Sequence, residues 1–311
     1  MPVSEKLLIE GIRRSAGGGR AGRGIGDDCA VVPVPRGHEA LITTDFSLEG
    51  VHFRRDWHPP ETVGHRCLAR GLSDIAAIGG IPHAAFLSLA LPAEVPQAWV
   101  DRFLRGLLKL AARFSLRLTG GDTAQSPDGV LADIVVLGSI PAGQSVLRSG
   151  ARAGDSIYVT GTLGSAIADL NRLRDGEKLN PKSHRKHFYP EPRLAVGRLL
   201  REKKLASAMI DISDGLSTDL NHICDESKTG AVVYAESLSA ISGKDGLTFA
   251  LHGGDEYELL FTAPPHRRIP KQIAGVQITR IGEITRGRQV KLAGANGKAE
   301  LLKPGGWEHF A

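Results

Sequence analysis

Apolar runs in this chain stop, again and again, at a glycine or a small hydroxyl residue with a carboxylate beside it. The segments are Gly26-Asp27-Asp28, Thr43-Thr44-Asp45, Ser73-Asp74, Gly120-Gly121-Asp122-Thr123, Asp211-Ile212-Ser213-Asp214-Gly215 and Gly253-Gly254-Asp255-Glu256. Acids placed where strands end and helices begin constrain the fold to one that brings such junctions to a common edge, as layered α/β architectures do. Carboxylates gathered in one cleft cannot all stay ionised unless cations neutralise them. The donors are oxygens, without cysteine or histidine partners, and that set suits a hard ion such as Mg²⁺, which keeps waters and shares itself with substrate phosphates. One Asp-Gly or Gly-Asp is ordinarily a turn. Recurrence after runs such as Leu41-Ile42 and Met209-Ile210 is what points to a shared site and to a nucleotide as its ligand.

Between these segments the chain alternates strand and helix signals. Residues 16–26 are too glycine-rich for regular structure and read as a mobile loop. The runs Cys29–Val34 and Ala40–Thr44, split by Pro35-Arg36-Gly37, read as a pair of short strands. Apolar positions at Val63, Cys67, Leu68, Leu72, Ile75 and Ile78 predict a helix over 61–78, stopped by Gly79-Gly80-Ile81-Pro82. A strand at 84–91, a helix at 96–113 with Trp99, Phe103, Leu107 and Leu110 on one face, a short strand at 116–119 and a long apolar strand at 130–140 follow. Composition shifts to Pro, Gly, Ser and Arg over 141–155, which divides a first domain, 1–147, from a second, 148–311. The second half carries strand signals at 156–160, up to Ile212, at 231–235, at 257–262 and twice between 276 and 293. Its helix signals run to about residue 174 and from Leu216. Its basic stretch at 182–204 contains one more helix and reads as a solvated face, with His184 and His187 at the surface. The fold class is therefore α/β with α+β character and mixed sheets, in two domains, which a chain of 311 residues that is 41% hydrophobic can support.

Several function classes fall away. The net charge of +5 reflects 39 Lys+Arg against 34 Asp+Glu, well mixed, so only a weak preference for anions follows. Cys29, Cys67 and Cys224 are odd in number and widely spaced, so neither a disulfide framework nor a zinc site is indicated and a reducing cytoplasm is expected. Charges at Glu5, Lys6 and Glu10 and the want of any apolar stretch near about 18 residues argue against secretion and membrane spanning. Neither a Gly-x-x-x-x-Gly-Lys-Ser/Thr loop nor a Gly-x-Gly-x-x-Gly turn opening a helix occurs, and His-Arg-Asp, Asp-Phe-Gly and Gly-x-Ser-x-Gly are missing. Nucleotide binding must use another scaffold. Candidates outside the acidic segments are His52, near the first acid cluster, Arg148, in a glycine-rich linker within reach of a polyphosphate, and Trp307, which could stack on a flat ring or dock on its own domain.

Taken in order, Gly26-Asp27-Asp28-Cys29-Ala30, Thr43-Thr44-Asp45 with Glu49-Gly50-Val51-His52-Phe53, Leu72-Ser73-Asp74-Ile75-Ala76-Ala77, Gly120-Gly121-Asp122-Thr123, Asp211-Ile212-Ser213-Asp214-Gly215-Leu216 and Gly253 to Phe261 resemble the thiamine-monophosphate kinases of the aminoimidazole-ribonucleotide-synthetase superfamily. The resemblance runs from about residue 24 to Trp307-Glu308-His309-Phe310. It implies ATP- and Mg²⁺-dependent transfer of a phosphoryl group onto the phosphate of thiamine monophosphate, giving thiamine diphosphate, by a homodimer joined through its N-terminal domains. It implies magnesium ligation, directly or through water, by Asp28, Thr43, Thr44, Asp45, Asp74, Asp122, Asp211 and Asp214. It also implies ATP contacts at Gly121, Asp122, Arg148, Ser213 and Phe114, and contacts to thiamine monophosphate at His52, Asp255 and Trp307. No catalytic base is expected, because a phosphate monoester oxygen is already ionised at pH 7. Where the family usually reads Gly-Gly-Glu-Asp-Tyr-Glu-Leu, this chain exchanges the acids to Asp255-Glu256. Sister activities that use a reactive cysteine are disfavoured by an end reading Glu308-His309-Phe310-Ala311. A non-catalytic RNA-binding regulator would rely on the basic stretch and the Arg-Gly segment, and no nucleic-acid or membrane partner is expected.

Overall fold

The computed structural model describes residues 5–16, 29–30, 32–242 and 246–310. The glycine-rich segment from Gly17 to Gly26, and Asp28, lie outside them. The chain divides into two units, one of Met1–Ile75 and Ile81–Ala142, the other of Ala76–Gly80 and Gly143–Ala311.

The first unit contains α1 (Glu5–Ser15), β1 (His38–Leu48), α2 (Pro60–Ala77, whose last residues belong to the second unit), β2 (Ile81–Leu91), α3 (Gln97–Arg113), β3 (Arg117–Gln125) and β4 (Leu131–Pro141). Its four strands pair in the order β1-β4-β2-β3; β2 and β3 run parallel and the other pairs antiparallel. Alternation along β4 decides the faces. Ala132, Ile134 and Val136 are buried, and Gly71 lets α2 approach so closely that a Cβ there would stand 2.8 Å from Val136. Glycine also lets α2 and α3 cross at close quarters, since a Cβ on Gly106 would lie 1.9 Å from the Glu61 carbonyl. Trp99 stacks on Phe103 with ring centroids 5.5 Å apart. On the other side of the sheet, Ile42 pairs with Leu137 and Phe46 with Asp133, and both Ile42 and Phe46 are exposed.

Two expectations are corrected here. Among the described residues of 29–34 none is in a strand, and a single long β1 pairs with β4 instead. Pro33 and Pro35 explain this, because proline brings no N–H to a ladder. The Gly120-Gly121-Asp122-Thr123 segment, expected just beyond a strand ending at 119, lies inside β3, which continues to Gln125 on a bulged parallel pairing with β2.

The second unit holds β5 (Ser156–Thr160), α4 (Ser165–Arg174), α5 (Arg185–Phe188), α6 (Leu194–Glu202), β6 (Ala208–Asp211), α7 (Leu216–Ser227), β7 (Gly230–Tyr234), α8 (Ala235–Ser242), α9 (Leu247–His252), β8 (Leu259–Ala263), β9 (Gln272–Ile273), β10 (Val276–Thr285), β11 (Val290–Ala293) and β12 (Ala299–Leu301). The sheet order is β12-β11-β7-β10-β5-β8-β6, with β9 on β10 and only β7 and β11 parallel. Its core gathers Ile157, Val159, Ile210, Leu220, Val233 and Leu260.

The basic stretch is not a solvated face. Arg193 reaches the buried Glu258 with two bonds of 2.7 and 2.6 Å, Lys186 adds one of 2.9 Å, and Thr160 donates a fourth. Arg201 is buried on the Gly79 carbonyl at 2.8 Å. His187 is 2% exposed, and His184 is half-buried on Asp169. No described helix is long and apolar enough to cross a membrane.

Candidate functional site

In the first unit, strand alternation sorts the Thr43-Thr44-Asp45 segment. Thr43 and Asp45 face α2, where the Thr43 hydroxyl donates to the Asp74 carboxylate and Asp45 lies 3.7 Å from the Arg70 guanidinium. Thr44, between them, points to the opposite face and donates to Asp133 at 2.7 Å. Its side chain is therefore not gathered with the other two, and its hydroxyl does not face an ion on the α2 side. Asp133 was not a sequence candidate, since it is embedded in the apolar run of β4. Asp122 is exposed on β3 and accepts from the Thr123 N–H at 2.9 Å. Gly121 before it has φ of +148°, and a Cβ there would fall 1.8 Å from the Leu87 carbonyl. Phe114 caps α3 with the Arg113 guanidinium 5.5 Å above its ring. His52 lies in the turn after β1, accepting from the Leu48 N–H at 3.0 Å, and lines a small cavity with Ser47, Phe53, Arg66 and Arg70. Two guanidinium groups beside that cavity favour an anion.

In the second unit, β6 ends on the buried Asp211 and the chain turns through Ser213, Asp214 and Gly215 into α7. Asp219, one turn into α7, accepts from the Gly215 N–H at 3.0 Å. Burial, then the nearby charges of Asp211 and Asp214, push the Asp219 carboxyl up to about 8. Such crowding is relieved by a cation. Asp214, Asp219 and His222 present ligand atoms within 4.8 Å of one another. The Asp219 and His222 positions were missed in the sequence; their three-residue spacing on α7 was the available signal. The donor set of this turn, carboxylates with one flanking imidazole, fits a hard divalent ion.

The same turn holds the acceptor-side candidates. Ser213 accepts from the Asp255 N–H at 2.7 Å, Ile212 from the Tyr257 N–H at 2.9 Å and Asp214 from the Trp307 N–H at 2.9 Å. Asp255 and Tyr257 both have left-handed φ, 60° and 52°, and the Tyr257 hydroxyl donates to Asp255 at 2.5 Å. Trp307 is half exposed. Asp211, Ser213, Asp214, Asp255 and Trp307 are thus brought together. Arg148 is exposed on a loop whose carbonyl accepts from Ser227 at 2.9 Å. The exchanged acids have separate tasks. Glu256 is buried and accepts from the Gly164 and Ala166 N–H groups at the start of α4, at 2.8 and 3.1 Å.

Comparison with known proteins gives the lineage. The AIR synthase related protein N-terminal domain matches residues 26–140, and the corresponding C-terminal domain matches 152–294. The thiamine-monophosphate kinase of Escherichia coli (strain K12) is 36% identical over 304 residues, covering 93% of this chain and 92% of that protein. The crystal structure of thiamine-monophosphate kinase from Stenotrophomonas maltophilia K279a superposes with a TM-score of 0.81 at 33% identity, covering 96% of this chain and 99% of that one. AaThiL complexed with AMPPCP and TMP superposes with a TM-score of 0.78 at 32% identity, covering 98% and 97%. With both domains matched and relatives aligned over more than nine-tenths of both chains at about a third identity, the chain belongs to the thiamine-monophosphate kinase family of AIR-synthase-related proteins.

Proposed function

We propose that this chain transfers the γ-phosphoryl group of ATP directly to the phosphate of thiamine monophosphate, giving thiamine diphosphate and ADP. The observation that carries the reading is the turn Asp211–Gly215, whose carboxylates suit a cation and whose carbonyls hold Asp255 and Trp307. Support comes from the solved relative AaThiL, complexed with AMPPCP and TMP.

Joining two phosphates brings anionic oxygens together, and bound Mg²⁺ would screen that repulsion and help hold donor and acceptor in line. Asp28, Thr43, Asp45, Asp74, Asp122, Asp211 and Asp214 would hold the ions. Gly121 and Asp122 would receive the nucleotide where the backbone lies bare of side chain, and Ser213, Arg148 and Phe114 would complete its contacts. His52, Asp255 and Trp307 would orient the acceptor, with the indole stacking on a flat ring. Proton abstraction has no part in the step. The carboxylates therefore act as ligands, and positioning with charge stabilisation supplies the rate.

The protein works as a homodimer joined through its N-terminal units. The exposed sheet face that carries Ile42 and Phe46, alongside Val135 and Leu137, supports this, because an apolar face of that kind is ordinarily covered. A cytoplasmic location fits a consumer of ATP with two buried free cysteines. Asp45→Asn, Asp74→Asn, Asp211→Asn and Asp214→Asn should each lower turnover by about two orders of magnitude or more, with circular dichroism unchanged. Turnover at the wild-type level in all four would refute the ligand assignment.

A further inference from the structure

Two separate stretches of the second unit, 255–257 and 305–307, meet on the Asp211–Gly215 turn, and the second is tied down by three amides. Besides the bond from the Trp307 N–H to the Asp214 carbonyl, the Gly306 N–H donates to the Thr218 hydroxyl at 3.2 Å and the Gly305 N–H to the Ser217 hydroxyl at 3.2 Å. Ser217 also bonds His252 Nδ1 at 2.8 Å. Burial lowers the His252 pKa, which keeps the ring neutral, so Nδ1 can accept while the serine oxygen takes the Gly305 N–H. The approach is too close for side chains. A Cβ on Gly306 would stand 2.2 Å from the Asp214 carbonyl, and one on Gly305 would stand 2.8 Å from His252 Nδ1. Three consecutive amides, 305 to 307, thus end on the turn and on the first helical turn that follows it.

We propose that Ser217 and Thr218 are positioning residues that strap the Trp307 segment to the carboxylate turn, and that through this strap cation occupancy at Asp211 and Asp214 is coupled to the ordering of Trp307 and so to the grip on the acceptor. The coupling rests on the cation and acceptor assignments made above. Its physical basis is that Asp214 serves both sides, offering its carboxylate to the ion and its carbonyl to the Trp307 N–H. An ion that held the carboxylate would restrict the motion of the Asp214 backbone that presents the carbonyl. By linkage, an acceptor that orders Trp307 must then tighten the ion by the same factor.

Amide hydrogen exchange on the full chain tests this without turnover. In the wild type, Mg²⁺ alone should slow exchange in the 211–216 and 303–310 peptides together, by about tenfold, within the range ordinary for coupled sites. Thr218→Val and Ser217→Ala should speed exchange of 303–310 by about tenfold without Mg²⁺, and should abolish its response to the ion while 211–216 still responds. Thr218→Ser, which keeps the hydroxyl, should restore wild-type behaviour and guards against a folding defect in the valine variant. In steady state, Thr218→Val should raise KM for thiamine monophosphate more than it lowers kcat. Protection of 211–216 without protection of 303–310 in the wild type would overturn the coupling. Unchanged tail exchange in both strap variants would overturn the positioning role. A wild type in which neither peptide responds to Mg²⁺ would overturn the cation assignment and the coupling with it, and would leave the variants in metal-free buffer to decide the strap.

Discussion

Replacing Glu256 by glutamine should make the protein's stability less sensitive to pH, and the sign follows from where the carboxyl sits. The side chain is buried with one oxygen on the Gly164 and Ala166 N–H groups, while the other has no hydrogen-bond partner and lies 3.8 Å from Lys186 Nζ. Burial raises its pKa from 4.5 to about 7, against the pull of Lys186 and the two amides. The native state therefore keeps a proton that the unfolded chain has released between about pH 4.5 and pH 7. Stability falls as pH rises through that window and levels off above it. At 1.36 kcal/mol per pH unit, the span from 4.5 to about 7 amounts to about 3 kcal/mol. Glutamine keeps an acceptor for the two amides and carries no charge. Urea denaturation at pH 5 and pH 8 should show the variant gaining about 2.5 kcal/mol on the wild type between the two, since part of the loss has already occurred at pH 5. A stability difference that is the same at both pH values would refute the placement of a strained buried carboxyl there.

Two further outcomes bear on the first unit. Gly121→Ala should cost about 3 kcal/mol or more in stability and abolish turnover, because the added Cβ would stand 1.8 Å from the Leu87 carbonyl at a φ of +148°; a wild-type melting temperature would contradict that geometry. Phe46→Asp should convert a dimer to a monomer of 33.1 kDa by light scattering, and a wild type that is itself monomeric at micromolar concentration would remove the dimer proposal.

Elements with a clean period were readable from the sequence. Strand 156–160 and the helices starting at Gln97 and Leu216 stand where periodicity put them. Glycine and small hydroxyl residues flagged the carboxylate segments as candidates but not their place in the fold: Asp211–Gly215 does follow the end of β6, whereas Thr43-Thr44-Asp45 and Gly120–Thr123 lie inside β1 and β3 and Ser73-Asp74 lies inside α2. Partners distant in sequence were not readable. Lys186 and Arg193 look solvated in a basic stretch, and only the fold brings Glu258, some seventy residues on, beneath them. Asp133 is hidden by the apolar residues around it, yet it receives the Thr44 hydroxyl. The separate tasks of the acids at 255–256 become visible only with α4 in place, where Glu256 accepts from the Gly164 and Ala166 amides and Asp255 accepts from the Tyr257 hydroxyl.

The most direct test is an assay of the purified protein with ATP, Mg²⁺ and thiamine monophosphate, with the thiamine species resolved by chromatography and ADP followed in parallel, beside a control without acceptor. Thiamine diphosphate appearing one-for-one with ADP, and no ADP without acceptor, is the predicted result. ADP release that ignores the acceptor, or no turnover at all, would contradict it.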